Sequence, residues 1–173
     1  KMSRAGNTTL ARETAAKSVQ PWLESETPRN LTALPMRALN WMPGNLIDPL
    51  IEMEMWAEAS ALMRKLLIQF PVNAKALNQA ALIAGKLGDR GEQLAYLQKL
   101  NMLEPGNEDY RRQLAEAYLS DEKWQAAFDT YQQLVSKHDT HQVSDLLGMA
   151  KSALKCSEFA IAQEFAGKAL IED

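Results

Sequence analysis

The stretch GDRGEQLAYLQKLNMLEPGN, residues 88–107, decides the fold class of this 173-residue chain. It ends in Pro105-Gly106-Asn107, and a similar turn, Pro71-Val72-Asn73, lies 34 residues earlier. A sequence period of about 34 residues is typical of stacked helical hairpins. Because one hairpin is too small to bury its own apolar face, each must pack on its neighbours. The spacing therefore predicts a tandem array of hairpins.

Apolar spacing and capping residues predict the individual helices. In segment 74–86 the apolar residues recur at intervals of three and four, so they share one helical face. Asn73 and Asn107 each precede a predicted helix, where a side-chain oxygen can accept hydrogen bonds from first-turn amides. We expect Asp121 and Ser157 to cap two later helices in the same way. No alternating run of strand length competes, so the chain is predicted to be all-α.

The pattern at residues 88–107 resembles the second helix and exit turn of a tetratricopeptide repeat (TPR). Upstream, Trp56 and Pro71 fit the same second-helix pattern, although Pro49 interrupts the helix before it. Two later copies carry the small and large residues that the family keeps, and Ala127 and Ala162 of these copies stand 35 residues apart. The other matching residues are Leu114, Ala115, Tyr118, Trp124, Tyr131, Leu134, Ala150, Leu154, Phe159, Ala166 and Ala169.

This resemblance implies tandem helix-turn-helix repeats stacked into a right-handed superhelix, a TPR-like solenoid. Residues 1–42 match poorly and are assigned to divergent N-terminal helices. The repeats are then expected at about 43–73, 74–107, 108–141 and 142–173. At the packing positions we expect core, which includes the aromatic residues Tyr118, Trp124, Tyr131 and Phe159 and the methionines Met63, Met102 and Met149.

Composition narrows the classes of partner. The net charge is −3 and no basic stripe is visible, which argues against nucleic acid. No apolar run approaches the roughly 18 residues that would span a bilayer, so no membrane insertion is expected in this segment. The single cysteine, Cys156, excludes an internal disulfide.

Residues that could carry chemistry are few. His138 and His141, with Asp139 between them, do not complete the four ligands of a structural zinc site. Cys156 follows Lys155, but no base or orienting group is placed beside it. We therefore predict no catalytic, cofactor or metal site, and no enzyme activity.

The family resemblance implies a binding groove along the first helices of successive repeats. The clamp that holds a terminal carboxylate in chaperone-binding members is absent, and Glu116 would repel such a group. Carried over residue by residue, the predicted protein-binding positions are Lys75, Asn78, Leu82, Lys86, Asp109, Arg112, Glu116, Leu119, Leu147, Lys151 and Lys155.

The function predicted from these observations is a non-catalytic protein–protein interaction scaffold that binds a protein or peptide, as a section of a larger bacterial secretion, export or assembly protein. The chain resembles envelope TPR scaffolds of exopolysaccharide export, and both periplasm and cytoplasm remain open. The alternative is a regulatory or substrate-recruiting module of an enzyme whose catalytic domain lies outside this chain. The last helix carries more apolar residues than its own repeat can use, including Phe159, Phe165 and Leu170, so self-association is also expected.

Overall fold

A computed structural model describes residues 3–24, 44–136 and 142–172. Within those ranges the chain is helical and contains no strand, so the predicted all-α tandem-hairpin fold class is confirmed. The helices are α1 Ser3–Glu24, α2 Gly44–Glu52, α3 Trp56–Gln69, α4 Ala74–Leu87, α5 Arg90–Leu103, α6 Glu108–Ser120, α7 Trp124–Val135, α8 Val143–Lys155 and α9 Phe159–Glu172.

The chain forms two compact units, Lys1–Asp89 and Arg90–Asp173. In the first unit α3 packs against α2 and α4, and α1 packs against α2 and α3. In the second unit each helix from α5 to α8 packs against the helix that follows it, and α6 also contacts α8. Consecutive packing of this kind is what a tandem array of hairpins requires.

Asparagine caps begin two of the helices, as the sequence predicts. The side chain of Asn73 accepts a hydrogen bond from the amide of Ala76 at 3.0 Å. Asn107 accepts from the amide of Asp109 at 3.1 Å and also from that of Tyr110. Each cap satisfies first-turn donors that would otherwise lack a partner.

The turns inside the hairpins share a left-handed residue two positions before the second helix. These residues are Glu54, Gly88, Glu122 and Ser157, with φ of 57°, 77°, 57° and 66°. After each of them, the next amide donates back to a carbonyl five residues earlier, for example Asp89 to Ala84 at 2.9 Å. This is the Schellman arrangement that closes helix C-termini.

The turn geometry explains why the caps predicted at Asp121 and Ser157 are wrong. Helix α7 begins at Trp124 after Lys123, which makes no side-chain capping bond, and Asp121 instead pairs with Lys123 at 2.9 Å. Ser157 occupies the left-handed position itself, two residues before α9 begins. Both residues serve the end of the first helix rather than the start of the second.

One core cluster joins α6, α7, α8 and α9. Tyr131 and Met149 lie at its centre and are 2% exposed. Tyr118 packs against the cluster while partly buried, Trp124 is half-buried, and Met63 is buried in the first unit.

Two core assignments are wrong. Phe159 is 65% exposed and Met102 is 81% exposed. Phe159 lines a surface groove between α8 and α9, and no described residue packs over it there.

Candidate protein-binding surface

The predicted binding residues of the first unit share one face of α4. Lys75, Asn78, Leu82 and Lys86 recur at helical spacing, and all four are exposed or half-buried. The buried residues of α4, such as Leu77 and Ala81, occupy its other faces. The face is therefore open to solvent.

Charged groups at both ends of this face are held in place. The Lys75 ammonium lies 3.7 Å from the Asp48 carboxylate of α2, and Gln79 donates a hydrogen bond to the same side chain. The Lys86 ammonium lies over the Trp56 ring at 5.9 Å from its centroid. Leu82 lies between the two lysines and is 46% exposed. The face thus presents an apolar residue between two positive charges.

Arg112 of α6 differs from the other predicted positions because it holds two helices together. Its guanidinium donates to both carboxylate oxygens of Asp145 on α8, at 2.7 and 2.9 Å, and to Asp109 at 2.9 Å. The hydrogen bond to Asp145 raises the pKa of Arg112 above its ordinary value. A bidentate pair of this kind is geometrically specific. Arg112 therefore has a structural role, and its contact with a partner stays a prediction.

The role of Asp145 is not predictable from local sequence patterns, because its partner Arg112 is 33 residues away. The Asp145 side chain is 7% exposed and the Arg112 side chain 15% exposed. Asp109, Glu116 and Leu119 complete the predicted set on α6, and all three are exposed or half-buried. Glu116 faces solvent, where it would oppose a negatively charged ligand.

On α8 the predicted residues Leu147, Lys151 and Lys155 are exposed. The Lys155 ammonium lies over the Trp124 ring at 5.3 Å from its centroid. This contact repeats the one between Lys86 and Trp56 in the first unit, at equivalent repeat positions. Both units therefore fix a lysine at the end of a first helix against an aromatic ring.

In the described part of the chain, Cys156 is the candidate nucleophile that the sequence offers. No group of three His, Cys, Asp or Glu side chains that could hold a metal occurs there. Burial is the main reason that the pKa of the Cys156 thiol is raised, with smaller contributions from Asp129 and Glu158, which disfavours the thiolate. His138, Asp139 and His141 lie outside the described residues.

None of the described helices is long and apolar enough to cross a bilayer. The Tyr131 hydroxyl, deep in the core cluster, has its pKa raised well above the ordinary value, mainly by burial.

The sequence matches no family model, and no curated protein matches it in a sequence comparison. Solved structures do resemble the fold. A MamA point mutant is 14% identical and has a TM-score of 0.69, over 99% of this chain and 100% of its own. MamA of AMB-1 is 15% identical with a TM-score of 0.69, over 94% of this chain and 90% of its own.

A third structure, MamA from residue 41 to its end from Desulfovibrio magneticus RS-1, is 15% identical with a TM-score of 0.65. It covers 94% of this chain and 93% of its own. At this level of identity a structural likeness speaks to the fold and not to the partner. These likenesses show that the chain has an all-helical, TPR-like fold.

Proposed function

We propose that the chain is a non-catalytic protein–protein interaction scaffold and a section of a larger bacterial secretion, export or assembly protein. The sequence resemblance favours a scaffold in an exopolysaccharide-export assembly. The observation that supports a scaffold is the exposure of Leu82 on α4 and Leu147 on α8, each on a face that also carries lysines. An apolar residue within a polar rim is the usual composition of a binding surface.

The charge of these faces indicates the chemistry of the partner. Lys75, Lys86, Lys151 and Lys155 are exposed. The ion pair between Lys75 and Asp48 lies in solvent, whereas Arg112 is neutralised by the nearly buried Asp145. The lysines held over Trp56 and Trp124 have lost part of their rotamer freedom before binding. Preorganised groups cost less entropy on association. We therefore propose a protein or peptide with apolar anchors and acidic side chains.

A matched pair of leucine substitutions tests the surface. Leu82 on the predicted face of α4 is 46% exposed, and Leu103 at the end of α5, outside the predicted set, is 40% exposed. The wild-type chain first captures a partner from the native host, and the partner is then purified. Leu82→Asp should weaken its binding at least ~10-fold in calorimetric titration, since apolar anchors dominate interface energies, while Leu103→Asp should leave the affinity unchanged.

Circular dichroism melts of both variants provide the folding control, because substitutions at exposed sites usually change stability by less than about 0.5 kcal/mol. Equal binding by the two folded variants would contradict the assignment of the first-helix face. A captured partner that proves to be a catalytic subunit would favour the recruiting-module alternative instead.

A further inference from the structure

A shallow apolar groove lies between α8 and α9. Leu147 and Leu154 line it from α8, and Phe159 and Ala166 line it from α9. The two leucines and the phenylalanine are all more than half exposed. No described residue of the chain fills this groove. Exposed apolar side chains that cluster in this way mark interaction sites more often than isolated ones do.

The same groove exists one repeat earlier, where a helix occupies it. Thirty-five residues before Phe159 and Ala166 stand Trp124 and Tyr131 of α7. There α8 lies against the α6–α7 pair, and its Met149 and Ala153 join Tyr131 in one buried cluster. Helix α8 fills the groove of the α6–α7 pair and, on another face, lines the groove of the α8–α9 pair. The open groove therefore stands one repeat further along the same series of interfaces. By this equivalence, the ligand that suits the open groove is an α-helix.

The two grooves differ in the space that they leave for that helix. A Cβ atom on Gly148 of α8 would overlap the Tyr131 ring, with the hydroxyl oxygen only 2.6 Å away. Position 166 carries alanine where position 131 carries tyrosine, so the open groove has room opposite Ala166. A helix bound there can present a large apolar side chain where α8 must have glycine.

The charged positions change as well. Arg112, which binds Asp145 of the seated helix, has Leu147 as its equivalent 35 residues later in the open groove. In the same way, the equivalent of Glu116 is Lys151. Lys151 lines the groove, and no ion pair within the described residues involves it. The open groove thus favours an apolar residue in place of an aspartate, and an acidic residue on the flank beside Lys151.

We propose that the α8–α9 groove binds one amphipathic α-helix of a partner protein, with a large apolar residue opposite Ala166 and an acidic flank beside Lys151. The groove shares Leu147 and Lys151 with the predicted first-helix face of α8, so the proposal deepens the proposed function there. It does not depend on the α4 face, which is tested separately above. A second copy of the chain is less suited, because no described helix other than α8 and α9 has two exposed large apolar residues on one face.

Two helix-constrained peptides serve as probes. Both have the α8 sequence of residues 143–155 with Asp145→Leu, a cross-link between positions 147 and 151, and a fluorescent label. One keeps the glycine at position 148, and the other carries Gly148→Leu. Fluorescence anisotropy with the full chain should show the leucine probe binding at least ~10-fold more tightly, because only it fills the space opposite Ala166.

Ala166→Tyr rebuilds the earlier groove and should reverse this preference, since tyrosine at that position leaves room for glycine alone. The matched control is Ala160→Tyr, on an exposed part of α9 outside the groove, which should leave both affinities unchanged. Leu147→Glu is a second test at a position that is 53% exposed, so folding should survive, and it should weaken the leucine probe at least ~10-fold.

The proposal is overturned if neither probe binds saturably, or if Ala166→Tyr and Leu147→Glu change binding no more than Ala160→Tyr does. Light scattering across a concentration series tests whether a second copy of the chain occupies the groove instead. A dimer that excludes the probe and is disrupted by Leu170→Glu would show that a second copy fills the groove, which also overturns it.

Discussion

The α6–α7 pair and the α8–α9 pair have equivalent residues 35 positions apart, yet in the described chain only the first pair has a helix seated on it. Trp124 of the filled pair is half-buried beneath the Lys155 ammonium of the seated helix α8. Phe159, its equivalent in the open pair, is 65% exposed. The difference shows that in a repeat array burial is decided by the next helix as much as by the residue itself.

The largest effect should come from the ion pair that exists only in the filled pair. Arg112→Leu introduces the residue found at position 147 and leaves the nearly buried Asp145 carboxylate without its partner. We expect urea unfolding to show a loss of about 3 kcal/mol, because an uncompensated buried charge is costly.

The control for this prediction is the opposite substitution, leucine to arginine, at the equivalent position of the open pair. Leu147→Arg adds a charge at an exposed site and should change stability by less than about 0.5 kcal/mol. The double variant Arg112→Leu/Asp145→Leu should recover most of the loss. A loss below about 1 kcal/mol for Arg112→Leu alone would mean that solvent reaches Asp145 and solvates its charge.

Two glycines give the next test: Gly148 of α8 packs against the filled pair, and Gly167 lies in α9 of the open pair. Gly148→Ala places a methyl group against the buried Tyr131 ring, and overpacking of this kind should cost about 1–3 kcal/mol. Gly167→Ala in α9 meets no atom within 4 Å, so alanine should stabilise that helix by up to about 1 kcal/mol. Thermal melts should therefore move in opposite directions, and a shift of the same sign for both would contradict the packing at Tyr131.

Local patterns in the sequence predicted the parts of the fold that depend on local physics. The caps at Asn73 and Asn107 follow from residue type and position, and both are present. The left-handed turn at Gly88 is readable for the same reason, since glycine adopts positive φ without strain. The equivalent positions carry glutamate, at Glu54 and Glu122, so the sequence does not predict that the turns share this left-handed residue.

Long-range contacts account for what the sequence did not predict. The link between Arg112 and Asp145 joins two helices across 33 residues, and only the packed structure reveals it. Because the predicted first-helix positions are set by repeat spacing, most of them were placed on open faces, although whether they bind a partner is still a prediction. Exposure of Phe159 depends on the absence of a covering helix in the described chain, which periodicity cannot report.

Aromatic truncation should give a smaller difference between the two pairs. Trp124 is half-buried and lies beneath the Lys155 ammonium, so Trp124→Ala should cost about 2 kcal/mol, part of the 3–5 expected for a fully buried ring. Phe159→Ala removes a ring that is 65% exposed and should cost less than about 0.5 kcal/mol. Equal urea midpoints for the two variants would show that Phe159 is covered in solution, for example by a second copy.

The smallest effect concerns the turns, where the two pairs are alike. Glu122 and Ser157 have φ of 57° and 66°, so both side chains are held in the left-handed region. Glycine avoids the cost of about 1 kcal/mol that a Cβ atom incurs there, although it also loses more chain entropy on folding. Glu122→Gly and Ser157→Gly should each stabilise the chain by a few tenths of a kcal/mol up to about 1 kcal/mol, and to the same extent.

Gly88→Ala, at a φ of 77°, is the control and should destabilise the chain by a similar amount. Differential scanning calorimetry can resolve these shifts. A gain for Glu122→Gly alone would mean that the turn of the open pair relaxes in solution when no helix is seated beside it.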